Sequence, residues 1–291
     1  MDLTRAAALG VVVVLGVAPA MSAADAIQIV TAARSVQPGE VVLFTASAAA
    51  PIEALHARAF DRDLSTFRID SGTWQAVLGI DLDIKPGSYP VSFDAAVDGR
   101  DVQTTVTLAV RKRVFATRSL TVDDAFVNPD PPTLQRIASE AADLARVWEE
   151  SVPSRLWSDA FVRPVPGRAT SSFGTRSVFN GRPRQPHGGT DFISPTGTPI
   201  HAPNSGRVMV ARDLYFTGNT VVIDHGLGVF SLLAHLSVID VQVGESVTAG
   251  QIVGQVGATG RVTGPHLHWA VRVGGARVDP LAVLAILGAT P

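Results

Sequence analysis

Short apolar runs broken by turn residues constrain this chain more than any other feature. In the N-terminal third, Pro38-Gly39, Ser71-Gly72, Pro86-Gly87 and Asp98-Gly99 punctuate the text. Between them lie Val41 to Thr45, an alternating stretch around Leu55, Ala57 and Ala59, Trp74 to Ile80, alternating Tyr89, Val91 and Phe93, and Val102 to Val110. Runs this short, with turns at such spacing, predict a small β-sandwich over residues 25–112. No group of side chains there has evident chemistry. Its one histidine, His56, stands alone in an alternating stretch.

A different text follows. Asn128-Pro129-Asp130-Pro131-Pro132 reads as a stiff linker, and proline in a first turn marks a helix start. Leu134, Ile137, Ala138, Ala141, Leu144, Ala145 and Trp148 recur at helical spacing, predicting one amphipathic helix inside a linker at 113–160, ending before Pro153 and packed on a neighbouring domain. From Phe161 the chain turns to Gly, Pro, Val, Thr and His, with β runs at Gly206 to Ala211, Thr220 to Asp224, Val229 to Ala234, Gln251 to Val256 and His268 to Val273. A second, antiparallel β domain over 161–291 is the natural reading. At the other end, Ala6 to Ala20 is too short for a membrane span of about 20 residues and runs into small residues. It reads as a secretory signal peptide over 1–24, the alternative being a retained anchor. No later stretch is long enough to span a membrane.

Composition narrows the function. The 291 residues suffice for two modest domains. Lys and Arg total 24 against 26 Asp and Glu, so a general electrostatic grip on nucleic acid is not expected. The absence of cysteine removes disulfides, thiolate nucleophiles and Cys-ligated zinc together. Only Lys85 and Lys112 are lysines, so the hairpin-like Val243-Gly244-Glu245-Ser246-Val247 lacks the acceptor lysine of a biotinyl or lipoyl carrier.

Six of the seven histidines lie in the second domain. His187-Gly-Gly-Thr-Asp191 holds two glycines and reads as a loop running into a strand. His266-Leu-His268, if extended, places both imidazoles on one strand face with Cα atoms about 6.5 Å apart. His235 adds a further imidazole after another β run. A catalytic zinc takes three N or O ligands and keeps one open position, and His with Asp is the donor set this chain can offer.

The segment from Phe161 to Leu284 resembles the lysostaphin-type, LytM-like zinc metalloendopeptidases, which cut peptide bonds in bacterial peptidoglycan. The resemblance rests on Ser172-Phe173-Gly174 with Arg176, His187-Gly-Gly-Thr-Asp191-Phe192, Gly197-Thr198-Pro199, Ala202-Pro203, Gly206, Gly218-Asn219 and His225-Gly226. It continues through Ala234-His235-Leu236, Gly250-Gln251, Gly254, Gly257, Thr259-Gly260, Thr263-Gly-Pro-His266-Leu-His268 and Asp279-Pro280. The region before it resembles the Ig-like N-terminal domain of some Gram-negative members.

The resemblance implies one Zn2+ per chain on His187, Asp191 and His268, with His266 as general base and His235 as a second catalytic histidine that stabilises the charged intermediate when protonated. Zinc would lower the pKa of its bound water to about 7, and His266 would take the proton as that water attacks. Asn219 is expected either to hydrogen-bond the substrate backbone or to shape a turn; His225 reads as a cleft-wall or structural residue, with substrate contact as the alternative; His201 matches no motif. The arginines Arg163, Arg168, Arg176, Arg182 and Arg184 read as a solvated loop, or as holders of stem-peptide carboxylates. Two departures stand out: Leu233 replaces a customary tyrosine and Ala270 a customary glutamate. The expected function is an exported, periplasmic or cell-envelope zinc peptidase acting on peptidoglycan peptides. The alternative is a non-catalytic module of the same fold that regulates another wall hydrolase. Because every proposed ligand follows Phe161, a fragment starting there is expected to fold and bind zinc alone.

Overall fold

The computed structural model describes residues 27–121, 128–158, 160–170 and 173–288. The expected signal peptide and Ser172 lie outside the described residues. The first seven strands are β1 (Gln28–Ala33), β2 (Val41–Ser47), β3 (Ile52–Ala59), β4 (Arg62–Arg68), β5 (Thr73–Gly79), β6 (Gly87–Val97) and β7 (Arg100–Val110). They hydrogen-bond in the order β1-β2-β5-β4-β3-β6-β7, every pair antiparallel. In a flat sheet, β2 and β6 would lie roughly 19 Å apart, at about 4.8 Å per strand. Yet the Phe44 and Phe93 rings meet edge to face at 5.4 Å. The sheet therefore folds back on itself and encloses a core that includes Ile52, Leu55, Leu78, Ile80 and Val91. The expected sandwich is present. β1 and β4 are additional to the strands read from sequence; β4 carries Arg62, Asp63, Ser65, Thr66 and Arg68, too polar to stand out as a run.

β8 (Thr117–Leu120) follows, then α1 (Pro131–Glu149). The Asp130 side chain accepts the Thr133 N–H, and Pro131 occupies the first turn, so the helix starts where the sequence indicated. Leu144, Val147 and Trp148 pack on Val210, Val222, Phe230, Leu232 and Ala234, with the Trp148 and Phe230 rings 5.3 Å apart. Arg136–Asp213 and Arg212–Asp143 ion pairs, each at 2.7 Å, fix the helix laterally.

The remaining elements are β9 (Arg168–Thr170), β10 (Arg176–Phe179), β11 (Arg182–Pro183), β12 (Gly189–Ile193), β13 (Pro199–His201), β14 (Gly206–Leu214), β15 (Gly218–Asp224), β16 (Val229–Ile239), β17 (Ser246–Val247), β18 (Ile252–Val256), β19 (Leu267–Val273), β20 (Ala276–Val278) and α2 (Pro280–Ile286). The main sheet runs β17-β14-β15-β16-β19-β12-β9, with β13, β18 and β20 paired at its margins. On β19, Leu267, Trp269, Val271 and Val273 are buried in the core. Their alternates, including His268, face the side on which α1 lies, because Ala270 contacts the α1 cluster. A small separate sheet, β11-β10-β8, joins the linker to the segment leading into His187.

The two β regions share a core. Val41, Phe67 and Val77 of the sandwich lie in one buried cluster with Trp157, Phe161, Val229, Ala276 and Val278. Arg34 bridges Glu40 at 2.7 Å and Asp279 at 2.8 Å, and Arg277 reaches Asp81 at 2.6 Å. Asp279 also accepts a hydrogen bond from Thr190, the neighbour of Asp191, at 3.3 Å.

Candidate metal centre

β12 and β19 run antiparallel with Asp191 directly opposite His268. The His268 Nδ1–H donates to Asp191 Oδ1 at 2.9 Å. His187 enters from the loop before β12, its Nε2 at 3.3 Å from the same oxygen. The ligand atoms of His187, Asp191 and His268 all lie within 4.8 Å of one another, a two-nitrogen, one-oxygen set that suits zinc with an open fourth position. The glycines between His187 and Asp191 differ in role. A Cβ on Gly189 would stand 2.4 Å from the Trp269 carbonyl oxygen and 2.7 Å from the His268 ring, whereas one on Gly188 would meet nothing within 4 Å. Gly189 is thus the space into which the His268 imidazole fits.

His266 lies just before β19, held by an isolated bridge to Gly257 rather than within the strand as expected. Its Nε2 still stands 3.8 Å from Asp191 Oδ1. Its Nδ1–H donates to the Gly264 carbonyl at 2.9 Å, which leaves the Nε2 lone pair turned to the centre. His235 sits on β16, where Ala234 pairs with His268. Its ring lies 4.9 Å from that of His266 and 5.9 Å from that of His268. It adopts a left-handed backbone (φ +67°), secured by its N–H to the Thr217 carbonyl at 2.8 Å and its Nδ1–H to the Thr259 carbonyl at 2.9 Å. A non-glycine residue held there stores strain that the surroundings must fix.

The electrostatics follow from this packing. Burial alone would raise the Asp191 pKa, but hydrogen bonds from His187 and His268 outweigh it and hold the carboxyl far below its usual range. Burial lowers His268, against the opposing hydrogen bond to Asp191. Burial, then the charge of His268, lowers His235 to about 4. Both causes favour the neutral ring, and negative charge developing beside it would favour the protonated state expected from the resemblance.

His225 does not reach the cleft. It is fully buried, its Nδ1–H donating to the Ser205 carbonyl at 2.8 Å and its Nε2 accepting from Ser231 Oγ at 2.9 Å, so it is a core histidine and not a substrate contact. Burial pushes its pKa down to about 4, consistent with a neutral ring. Asn219 is partly exposed at the start of β15, opposite Leu236 and hence one residue from His235. His201 donates to the Gly250 carbonyl at 2.7 Å, apart from this group. Three of the arginines read as a solvated loop lie instead on strands: Arg168 on β9, Arg176 on β10 and Arg182 on β11. Sequence reasoning assigned no role to Thr217, Thr259 or Gly264, because they act through backbone carbonyls that leave no residue-type signature.

The class so defined is a mostly antiparallel β protein with a His-Asp-His group that fits a metal site, flanked by two further imidazoles. Residues 185–280 match Peptidase family M23. A putative peptidase M23 from Pseudomonas aeruginosa superposes with a TM-score of 0.67 at 32% identity, over 88% of this chain and 96% of that one. The chain belongs to peptidase family M23. The peptidoglycan DD-endopeptidase ShyA of Vibrio cholerae is 43% identical over 115 residues, 39% of this chain and 27% of that protein. The DD-carboxypeptidase/endopeptidase Mpg of Neisseria meningitidis is 42% identical over 97 residues, 33% of this chain and 22% of that protein. The match thus spans about a quarter of these curated relatives' length.

Proposed function

We propose that this chain is an exported zinc metalloendopeptidase that hydrolyses peptide bonds in peptidoglycan stems or cross-links at the cell envelope. The observation that carries the reading is the convergence of His187, Asp191 and His268, with the Nε2 atoms of His266 and His235 left open by their Nδ1 hydrogen bonds. The named relatives support cross-link cleavage as the bond class. Bound on those three residues, zinc supplies Lewis acidity, which acidifies water and polarises a carbonyl. His266 takes the proton of the attacking water at Nε2 and delivers it to the leaving amine. His235, protonated at Nε2 from solvent, would donate a hydrogen bond to the carbonyl oxygen as that oxygen gains charge, and would keep its proton. Asn219, paired with Leu236 next to His235, would hydrogen-bond the substrate backbone. The sandwich, read as an Ig-like domain over 25–112, and the linker at 113–160 support the catalytic part at 161–291.

The regulatory-module alternative requires no complete constellation, and here all five residues gather at one place. Purified sacculi incubated with the protein, then resolved by muropeptide mass spectrometry, provide the test. Cross-linked muropeptides should decline and their monomers accumulate, chelation should stop the reaction, and zinc should restore it. An unchanged muropeptide profile from protein carrying one equivalent of zinc would favour the regulatory module.

A further inference from the structure

The last strand of the sandwich leaves one side of its backbone open. Among the described residues β7 pairs with β6 and with no other strand. The strands at the other sheet ends, β1, β8, β9, β11 and β17, have six residues or fewer, whereas β7 has 11. Long edges are normally blunted by charge, proline or a bulge. The stretch from Val102 to Val110 holds neither charge nor proline, and the β6–β7 register runs without a shift.

The hairpin register decides which backbone groups are open. Asp98-Gly99 is a two-residue turn, both residues with positive φ (48° and 70°), so Val97 and Arg100 exchange hydrogen bonds and the alternation follows from there. The even-numbered residues of β7 therefore bond to β6. The odd-numbered ones, Asp101, Gln103, Thr105, Thr107 and Ala109, turn N–H and C=O outward; all five are exposed, and those groups have no partner among the described residues. The next odd position is closed, because the Arg111 N–H donates to the Val36 carbonyl at 2.9 Å. The open window thus runs from the turn to Val36, and Thr105 is its midpoint.

We propose that two copies of this chain pair through β7, antiparallel about a two-fold axis at Thr105. In this register the whole window faces itself. Thr105 meets Thr105, Gln103 meets Thr107 and Asp101 meets Ala109, each pair exchanging two hydrogen bonds. A slip that set Asp101 against Arg111 would drive the second strand into the place Val36 fills. No like charges stand opposite one another, and a Thr–Thr contact suits an antiparallel pair. Asp101 of each copy lies diagonal to Arg111 of the other, within reach of a long side chain. The pairing uses no residue of the metal centre and stands apart from the peptidase reading.

Sedimentation velocity of the purified full chain over a concentration series tests this. The mass should rise from monomer to dimer, since one strand pair is a small contact that dilution separates. Thr105→Lys and Thr105→Glu each set like charges face to face at the axis, and each should raise the dimer Kd about tenfold or more. Mixed in equal amounts, the two variants should recover association at the wild-type level or better, because lysine then meets glutamate. Position 105 is exposed in the single chain, so both variants should keep the wild-type denaturation midpoint. A wild type that stays monomeric at every concentration overturns the pairing, even if a strand of another protein binds the edge. A dimer that both variants leave intact does the same. So does dissociation of both variants without recovery on mixing, which would mean that residue 105 does not face its own counterpart.

Discussion

Gly189 shows how narrowly the centre is drawn at the scale of one residue. A methyl group there would collide with the His268 ring and the Trp269 carbonyl, while Gly188 faces open space. Gly189→Ala should therefore weaken zinc binding about tenfold or more by displacing a ligand, in the range seen when the supports of metal ligands are lost. Gly188→Ala should bind zinc as the wild type does. Metal titration of both variants, with circular dichroism to confirm folding, checks the pair; equal affinities would remove Gly189 from the account. The sequence singled out His187, Asp191, His235, His266 and His268 as metal-type side chains in one β domain, and their proposed roles came from the family resemblance rather than from spacing. The Thr259 and Gly264 carbonyls were not singled out, since any residue offers a carbonyl and only the fold aims it. His225, read from the sequence as a cleft-wall or structural residue, takes the structural role: its place under Phe161, ring to ring at 5.0 Å, makes it part of the core.

Elements were readable where apolar periodicity was strong. The five β runs after Phe161 became β14, β15, β16, β18 and β19, and the helical stripe became α1. The β10–β11 hairpin was missed although Asn180-Gly181, both with positive φ (48° and 79°), is a two-residue turn pair. Its strands carry arginines, and the charge hid the extended pattern. The same holds for β8, a four-residue strand that pairs parallel with β10. Helix α1 depends on packing more than on propensity, as most helices in proteins do. Trp148, edge to face with Phe230 and covered by Arg272 at 5.0 Å, is its main anchor. Trp148→Ala should cost about 2 kcal/mol, below the range for fully buried aromatic truncations because the side chain is only partly covered. Chemical denaturation measures it. A midpoint unchanged from wild type would mean that the helix adds no stability to the sheet.

For the whole molecule, the sandwich is welded to the C-terminal β region by a shared core and a set of ion pairs. This changes the expectation for a fragment starting at Phe161. It contains every proposed ligand, yet it would expose the surface that Val41, Phe67 and Val77 cover and lose Arg34 beside the buried Asp279. Long-range burial of this kind has no local signature, so the sequence pointed to two separable domains. Asp81 gives the weld a pH dependence. Burial would raise its pKa, but hydrogen bonds from Arg277 win and hold it below the ordinary 3.8. A carboxyl depressed in the folded state stabilises above its unfolded pKa, and that contribution fades as pH falls through the lower folded value. Stability should thus decline below pH 3.8 in the wild type, and Asp81→Asn should flatten part of that decline while lowering stability at pH 7. Denaturation midpoints from pH 2 to 7 check this; parallel profiles would remove Asp81 from the interface account. That zinc rests on His187, Asp191 and His268, with His266 as the base beside it, is tested most directly by zinc content and sacculus digestion of His268→Ala and His266→Ala, each confirmed folded. The account predicts that His268→Ala loses the metal and all activity, whereas His266→Ala keeps near one equivalent of zinc and slows by about 10²–10⁴-fold. Zinc lost from His266→Ala but retained by His268→Ala, or full activity in both, would contradict it.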